Sequence, residues 1–224
     1  MAAQDVTLSQ NRSEGGMSIK RIVLKVVVSL ACLAPAAGMD VRHPQGPYTE
    51  PVTGMMYPEA VGAFRRINVI KYALDGSDES VGYNLLTPGS EISTTVYFFA
   101  SPALRSLGSP QAVIDDARAE MCQRQFQGIE QEILRAHPAA RLLTEENVSL
   151  DQMGSRFAGH KAVYEMNFAN FFGRRQTIRS EAYLFCYAGS RWSVEYRIDY
   201  PIGYDASAQI AAFMRDFEWT MTSK

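Results

Sequence analysis

Residues 176–200, QTIRSEAYLFCYAGSRWSVEYRIDY, hold the reading that decides the fold. Two runs rich in aromatic and β-branched residues flank Ala188-Gly189-Ser190, so the stretch reads as a tight antiparallel hairpin with a three-residue loop. Closing it there sets Tyr187 opposite Arg191. Cys186 then faces Trp192, Leu184 faces Val194 and Ala182 faces Tyr196 on one side of the ribbon. On the other side Glu181 meets Arg197 and Arg179 meets Asp199. A slip of one residue would set Cys186 against Ser193 and mix the two sides. Each cross-strand pair contributes only about 0.2–1 kcal/mol. Burying Trp192, Val194, Tyr196, Ile198 or Tyr200 contributes roughly 1.5–3 kcal/mol apiece, so the apolar flank dominates. The alternation therefore reads as a ribbon with one dry flank and one solvated charge ladder, not as an assembly of reactive groups. Carried into the preceding strand, the ladder sets Glu165 opposite Glu181, a like-charge pair for Arg197 to offset.

Outward from the hairpin, period-2 patterns mark strands at about 65–73, 81–87, 92–100, 141–149 and 160–169. Between the third and fourth the period changes. Ser109-Pro110 is a helix start, and Ala119, Cys122, Phe126, Ile129 and Ile133 follow at spacings of three and four. Pro138 ends the helix by His137, giving a rod roughly 40 Å long. A last helix begins near Asp205, with Ala206, Ile210, Phe213 and Phe217 as its apolar stripe. The order βββ-α-ββββ-α, with short links between the later strands, predicts an α+β fold. Its antiparallel sheet has six to seven strands, packed by one long helix and a C-terminal helix.

The 224-residue chain has an ordinary globular composition, 46% hydrophobic and 21% charged with a net charge of −2. That balance argues against nucleic acid as a partner, since phosphate binding needs clustered Lys and Arg. From Met17 the chain reads MSIKRIVLK, VVVSLACLA, PAAG: a basic segment, a short apolar run and small residues. This is a secretory signal with a cut after Ala36. Residues 1–36 are then a leader, 37–58 a Pro- and Gly-rich tether and 59–224 a single α+β domain. Cleavage removes four of 22 basic and two of 24 acidic residues, leaving 18 and 22 and a net charge of −4. The expected location is periplasmic or extracellular. Ser29-Leu30-Ala31-Cys32 loosely resembles a bacterial lipobox, and lipidation of Cys32 is the one route to a membrane.

Few motifs carry chemistry. There is no H-x-x-x-H, C-x-x-C, P-loop, dinucleotide fingerprint or G-x-S-x-G, so no metal, cofactor or catalytic residue set is expected. His160 is the histidine that sits beside a strand, and a hydrolase site would have to join it to Glu165 or Asp151. Cys122 and Cys186 both fall on apolar faces. Export permits a disulfide between them, and two separate buried thiols fit the spacing equally well. Phe171-Phe172-Gly173-Arg174-Arg175 forms a hairpin tip where Phe171, Phe172, Arg174 and Arg175 could contact a protein partner or lipid head groups.

Several segments together carry a family resemblance. Gly82-Tyr83-Asn84-Leu85-Leu86-Thr87-Pro88 leads into Thr95-Val96-Tyr97-Phe98 and then the long helix. Phe157-Ala158-Gly159-His160-Lys161-Ala162 opens the meander, and Asp216-Phe217-Glu218-Trp219 follows the last helix. Over about residues 58–220 the chain resembles the PsbP/DcrB-like group of small exported α/β/α sandwich domains. That resemblance implies a non-enzymatic accessory domain held outside the cytoplasm, with a protein or envelope component as partner. The competing expectation is an exported hydrolase-type enzyme with its site around His160.

Overall fold

The computed structural model describes residues 40–73, 75, 77–104, 108–189 and 191–221. The expected signal segment and Cys32 lie outside the described residues. The elements begin with β1 (Asp40–Arg42), β2 (Tyr48–Thr49), β3 (Met56–Tyr57), β4 (Ala60–Val61) and β5 (Phe64–Lys71). They continue with β6 (Asp78–Thr87), β7 (Ser90–Ala100) and the long helix α1 (Gln111–Ala136). Then follow β8 (Ala140–Gln152), β9 (Ser155–Phe171), β10 (Arg174–Ala188), β11 (Trp192–Pro201) and α2 (Ser207–Asp216).

The fold is α+β, and among the described residues its main sheet has nine strands in the order β1-β5-β6-β7-β11-β10-β9-β8, with β4 also on β5. Every pairing is antiparallel. Strands β5–β7 and β8–β11 are the two expected meanders, and the β7–β11 pairing welds them into one sheet. The count exceeds six to seven because β1 and β4 join the edge, while β2 and β3 form a separate ribbon. These four come from the expected tether and the residues just after it. Residues 40–58 are therefore part of the fold. Met55 and Tyr57 are fully buried, and the Arg66 guanidinium gathers the carbonyls of Pro44, Gly46 and Tyr57. Prolines break helix and sheet periodicity here, but they do not prevent side chains between them from entering a core.

The two helices cover opposite faces of the sheet. Cys122, Phe126, Ile129 and Ile133 of α1 pack on Ala162, Tyr164, Met166, Ile178, Ala182 and Leu184. Ile210, Phe213 and Met214 of α2, with Phe217 and Trp219 behind them, pack on Tyr83, Val96, Phe98, Phe185, Val194 and Tyr196. Strand β10 is thus buried on both sides, and its continuous apolar run Ala182–Ala188 is the signature of that position.

This double cover corrects the hairpin register. A bulge between Phe185 and Ala188, with Tyr187 in the left-handed region at φ 61°, gives β10 one extra residue. Beyond it Phe185 pairs with Val194, Leu184 with Glu195, Tyr183 with Tyr196, Ala182 with Arg197 and Ser180 with Asp199. The expected Glu181–Arg197 and Arg179–Asp199 pairs do not form, because the two members of each now point to opposite faces. The dry flank of β11 is as expected, with Trp192, Val194, Tyr196, Ile198 and Tyr200 all buried. Its other flank lies under or beside α1 and is not a solvated ladder. Between β9 and β10, Glu165 lies opposite Arg179 and Glu181 opposite Val163, so the like-charge pair vanishes too.

Candidate functional site

α1 packs over β10, β9 and β8, off the centre of the sheet. Among the described residues, the α1-side face of β6, β7 and β11 has one wall of helix and no roof. Alternation decides what lines it: on β7, Val96 and Phe98 enter the α2-side core, so Tyr97 and Phe99 turn toward α1. Register then adds Ser80 beside Tyr97 and Asp78 beside Phe99, while β11 contributes Glu195 and Arg197. The result is a groove of about 610 Å³, closed on the helix side by Gln125, Gly128, Ile129, Glu132 and Arg135.

Rings and charges in this groove are fixed to one another. Tyr72 and Tyr97 stack with centroids 6.4 Å apart, and the Tyr72 hydroxyl lies 3.2 Å from Ser80 Oγ. The Arg197 guanidinium covers the Tyr97 ring at 5.0 Å. Its Nε donates to Glu195 Oε1, and its Nη2 lies 3.5 Å from Glu132 Oε2. Burial raises the Glu195 carboxyl against the pull of Arg197. Burial also raises Asp78, with the Glu132 charge adding to it, and it pushes the Tyr97 hydroxyl up to about 12. On the helix wall, a Cβ added at Gly128 would have nothing within 4 Å. A mid-helix glycine costs about 1 kcal/mol relative to alanine, and packing does not require this one. The groove thus presents ring faces and oriented ion pairs.

A second polar cluster lies on the α2 side. Glu181 accepts hydrogen bonds from Tyr183 and, at 2.6 Å, from the Tyr200 hydroxyl, with Lys161 Nζ 3.3 Å away. Lys161 also reaches Glu146 at 3.4 Å. Burial, then the Glu181 carboxylate, raises the Tyr183 and Tyr200 hydroxyls. Both Glu181 oxygens and both phenols are satisfied, so this buried carboxylate holds β9, β10 and β11 together. It was legible in the sequence only as a member of the charge ladder.

The residues singled out in the sequence are scattered. His160 stacks on Phe126 at 5.4 Å, and its Nδ1 lies 3.0 Å from the Asn147 side-chain oxygen; burial lowers its pKa. Glu165 pairs with Arg141 at 3.2 Å, and Asp151 lies 4.0 Å from Arg156. The three are not brought together. At the β9–β10 tip, Phe172 and Gly173 take φ values of 48° and 75°, a two-residue turn of the type hairpins favour. Phe171 turns inward and is buried, and Phe172 packs on it at 4.5 Å. Arg174 pairs with Glu91 at 2.7 Å, and Arg175 lies over the ring of Phe168, which is 71% exposed. Of that tip, Phe172, Arg174 and Arg175 are at the surface.

Cys122 and Cys186 are joined as a disulfide with Cα atoms 5.8 Å apart, tying α1 to β10. Among the described residues no group of three His, Cys, Asp or Glu side chains converges on a metal-sized space. No described helix is long and apolar enough to cross a membrane. The groove residues Tyr72, Asp78, Tyr97 and Gly128 were missed by motif reading, since none belongs to a motif. The signal available for Tyr97 was its place in the alternation of 92–100, opposite in phase to Val96 and Phe98. No family model matches the chain, and no curated protein is significantly similar to it.

Proposed function

We propose that the chain is an exported, non-catalytic accessory domain that binds a protein or envelope partner through the groove beside α1. The observation that carries this reading is the groove: space walled by stacked rings and paired charges, beside a helix glycine that packing does not demand. The disulfide supports it, because such bonds persist in oxidising compartments. The basic, apolar and small-residue order of residues 17–38 supports export, and the resemblance to PsbP/DcrB-like domains supports an accessory role. The hydrolase reading joins His160 to Glu165 or Asp151. The ring faces the Asn147 amide instead, while Glu165 and Asp151 lie against arginines.

The test compares wild type with Gly128→Ala, Gly128→Leu and Tyr97→Ser as bait in a native envelope fraction, beside a chromogenic ester assay. A Cβ at 128 meets nothing within 4 Å, and leucine strengthens the helix by about 0.5–1 kcal/mol relative to glycine. Any lost binding at that position therefore reports on the groove and not on folding. The expected outcome is a partner held by wild type and Gly128→Ala and lost from Gly128→Leu and Tyr97→Ser. Ester turnover abolished by His160→Ala would overturn the reading.

A further inference from the structure

The charged side chains that line the groove beside α1 do not balance. Asp78, Glu132 and Glu195 stand against Arg135 and Arg197. Arg197 is shared between two of the acids: its Nε donates to Glu195, and its Nη2 lies 3.5 Å from Glu132. Arg135 is exposed on α1 and donates at 3.2 Å to the Gln131 carbonyl of its own helix. The Asp78 carboxylate has no hydrogen bond or ion pair among the described residues. It is half-buried, and burial and the Glu132 charge both raise its pKa. Glu132 and Asp78 in turn raise Glu195, which burial raises most. Three carboxylates in one another's field around one engaged guanidinium leave an excess of negative charge in the groove.

The register fixes what stands beside the unpaired acid. Asp78 lies opposite Phe99 on β7, and Tyr97, two residues back, shares that face. Arg197 covers one face of Tyr97 at 5.0 Å, and Tyr72 stacks on the same ring. The ring surface left to a ligand is therefore that of Phe99 and of Tyr72, which is 37% exposed. Ring faces beside an unpartnered carboxylate suit a cation on an apolar stem. The rings pack on the stem, and the carboxylate and the ring quadrupole hold the charge.

We propose that the groove receives a basic side chain, lysine or arginine, from a protein partner, with its cation on Asp78 and its stem against Tyr72 and Phe99. The inference rests on the reading of the groove as the binding site and adds the chemistry of what enters it. Because the groove has no roof among the described residues, a small free cation there would keep much of its hydration. A side chain arrives with the protein surface that supplies the missing cover, and excluding water strengthens the ion pair.

The test titrates capped tripeptides Gly-Lys-Gly and Gly-Arg-Gly, the uncharged Gly-norleucine-Gly, and choline into the isotope-labelled full chain at neutral pH and constant ionic strength. The backbone amides of Asp78 and Phe99 report on the groove by NMR. The Trp219 indole N–H, which donates to the Tyr196 hydroxyl at 2.7 Å on the α2 side, is the control. The expected result is a saturable shift of the groove amides with the basic peptides and none with norleucine, weakened about tenfold or more in Asp78→Asn. Asp78→Asn keeps the shape and removes a half-buried unpaired charge, so its urea midpoint should equal or exceed that of wild type. The proposal fails if neither basic peptide moves the groove amides, if norleucine moves them equally, if choline alone does, or if Asp78→Asn binds as wild type does. A lower urea midpoint for that variant would show Asp78 paired within the chain and overturn it too. Capture from the envelope fraction separates this inference from the reading beneath it. A partner kept by Asp78→Asn but lost from Gly128→Leu removes the cation and leaves the groove as the site. No partner on wild type, with the basic peptides still bound, removes the envelope partner and leaves the cation site.

Discussion

Gly159 shows how much one residue can decide in this sheet. It lies in β9 opposite Phe185 of β10. A Cβ placed there would stand 2.5 Å from the Leu184 carbonyl oxygen and 2.5 Å from the Phe185 ring. The carbonyl belongs to a strand paired on both sides, so it cannot withdraw without opening the ladder. Gly159→Ala is therefore expected to destabilise the fold by about 1–3 kcal/mol, the usual cost of overpacking. A shift of the urea midpoint to lower concentration with an unchanged m-value checks it. The neighbouring His160 stacks on Phe126 of α1.

Among elements, α1 carries the clearest consequence. Its stripe of Cys122, Phe126, Ile129 and Ile133 lands on β9 and β10, and one covalent bond fastens it there. The bridge spans a sequence separation of 64 residues, and closing a loop of that size restricts the unfolded chain by about 4 kcal/mol. Cys122→Ser, Cys186→Ser or simple reduction should lower the melting temperature markedly, with the double variant no worse than either single one. Thiol titration of the denatured, unreduced protein should find neither cysteine reactive. α1 also explains the groove: a helix fastened to one side of a nine-stranded sheet cannot roof the other side.

For the molecule as a whole, the folded residues 40–58 bring an ionisable cluster into the α2-side core. Glu50 accepts the Lys71 ammonium at 2.9 Å and the amides of Val52 and Thr53. Burial alone would raise its pKa, but these partners outweigh burial and hold it low. Glu79, hydrogen-bonded by the Tyr57 hydroxyl, is raised to about 7, mainly by burial. The two have opposite signs. Between about pH 4.5 and 7 folded Glu79 keeps a proton that the unfolded chain has released, so its contribution to stability falls as pH rises through that window. The full effect is roughly 3 kcal/mol. Glu50 contributes stability above its unfolded pKa and loses it on acidification. Chemical denaturation across pH 4–9 should show Glu79→Gln as stable as wild type near pH 4.5 and more stable at pH 8. A wild-type curve without this decline between pH 4.5 and 7 would place Glu79 in a wetter setting.

Local periodicity and stereochemistry, which neighbouring residues dictate, were enough to determine the α+β class with its large antiparallel sheet and two helices, the span of α1 and the aromatic flank of β11. The cysteine positions were legible, but whether they meet depends on how α1 lies on β10. The register of the last hairpin, the inclusion of residues 40–58, the covering of the second flank of β11 and the groove were decided only by tertiary structure. Each depends on a bulge, a fold-back or a helix placement that relates residues far apart in the chain. A strand covered on both faces and one covered on a single face differ by what packs above them, and the alternation along the strand itself does not record that.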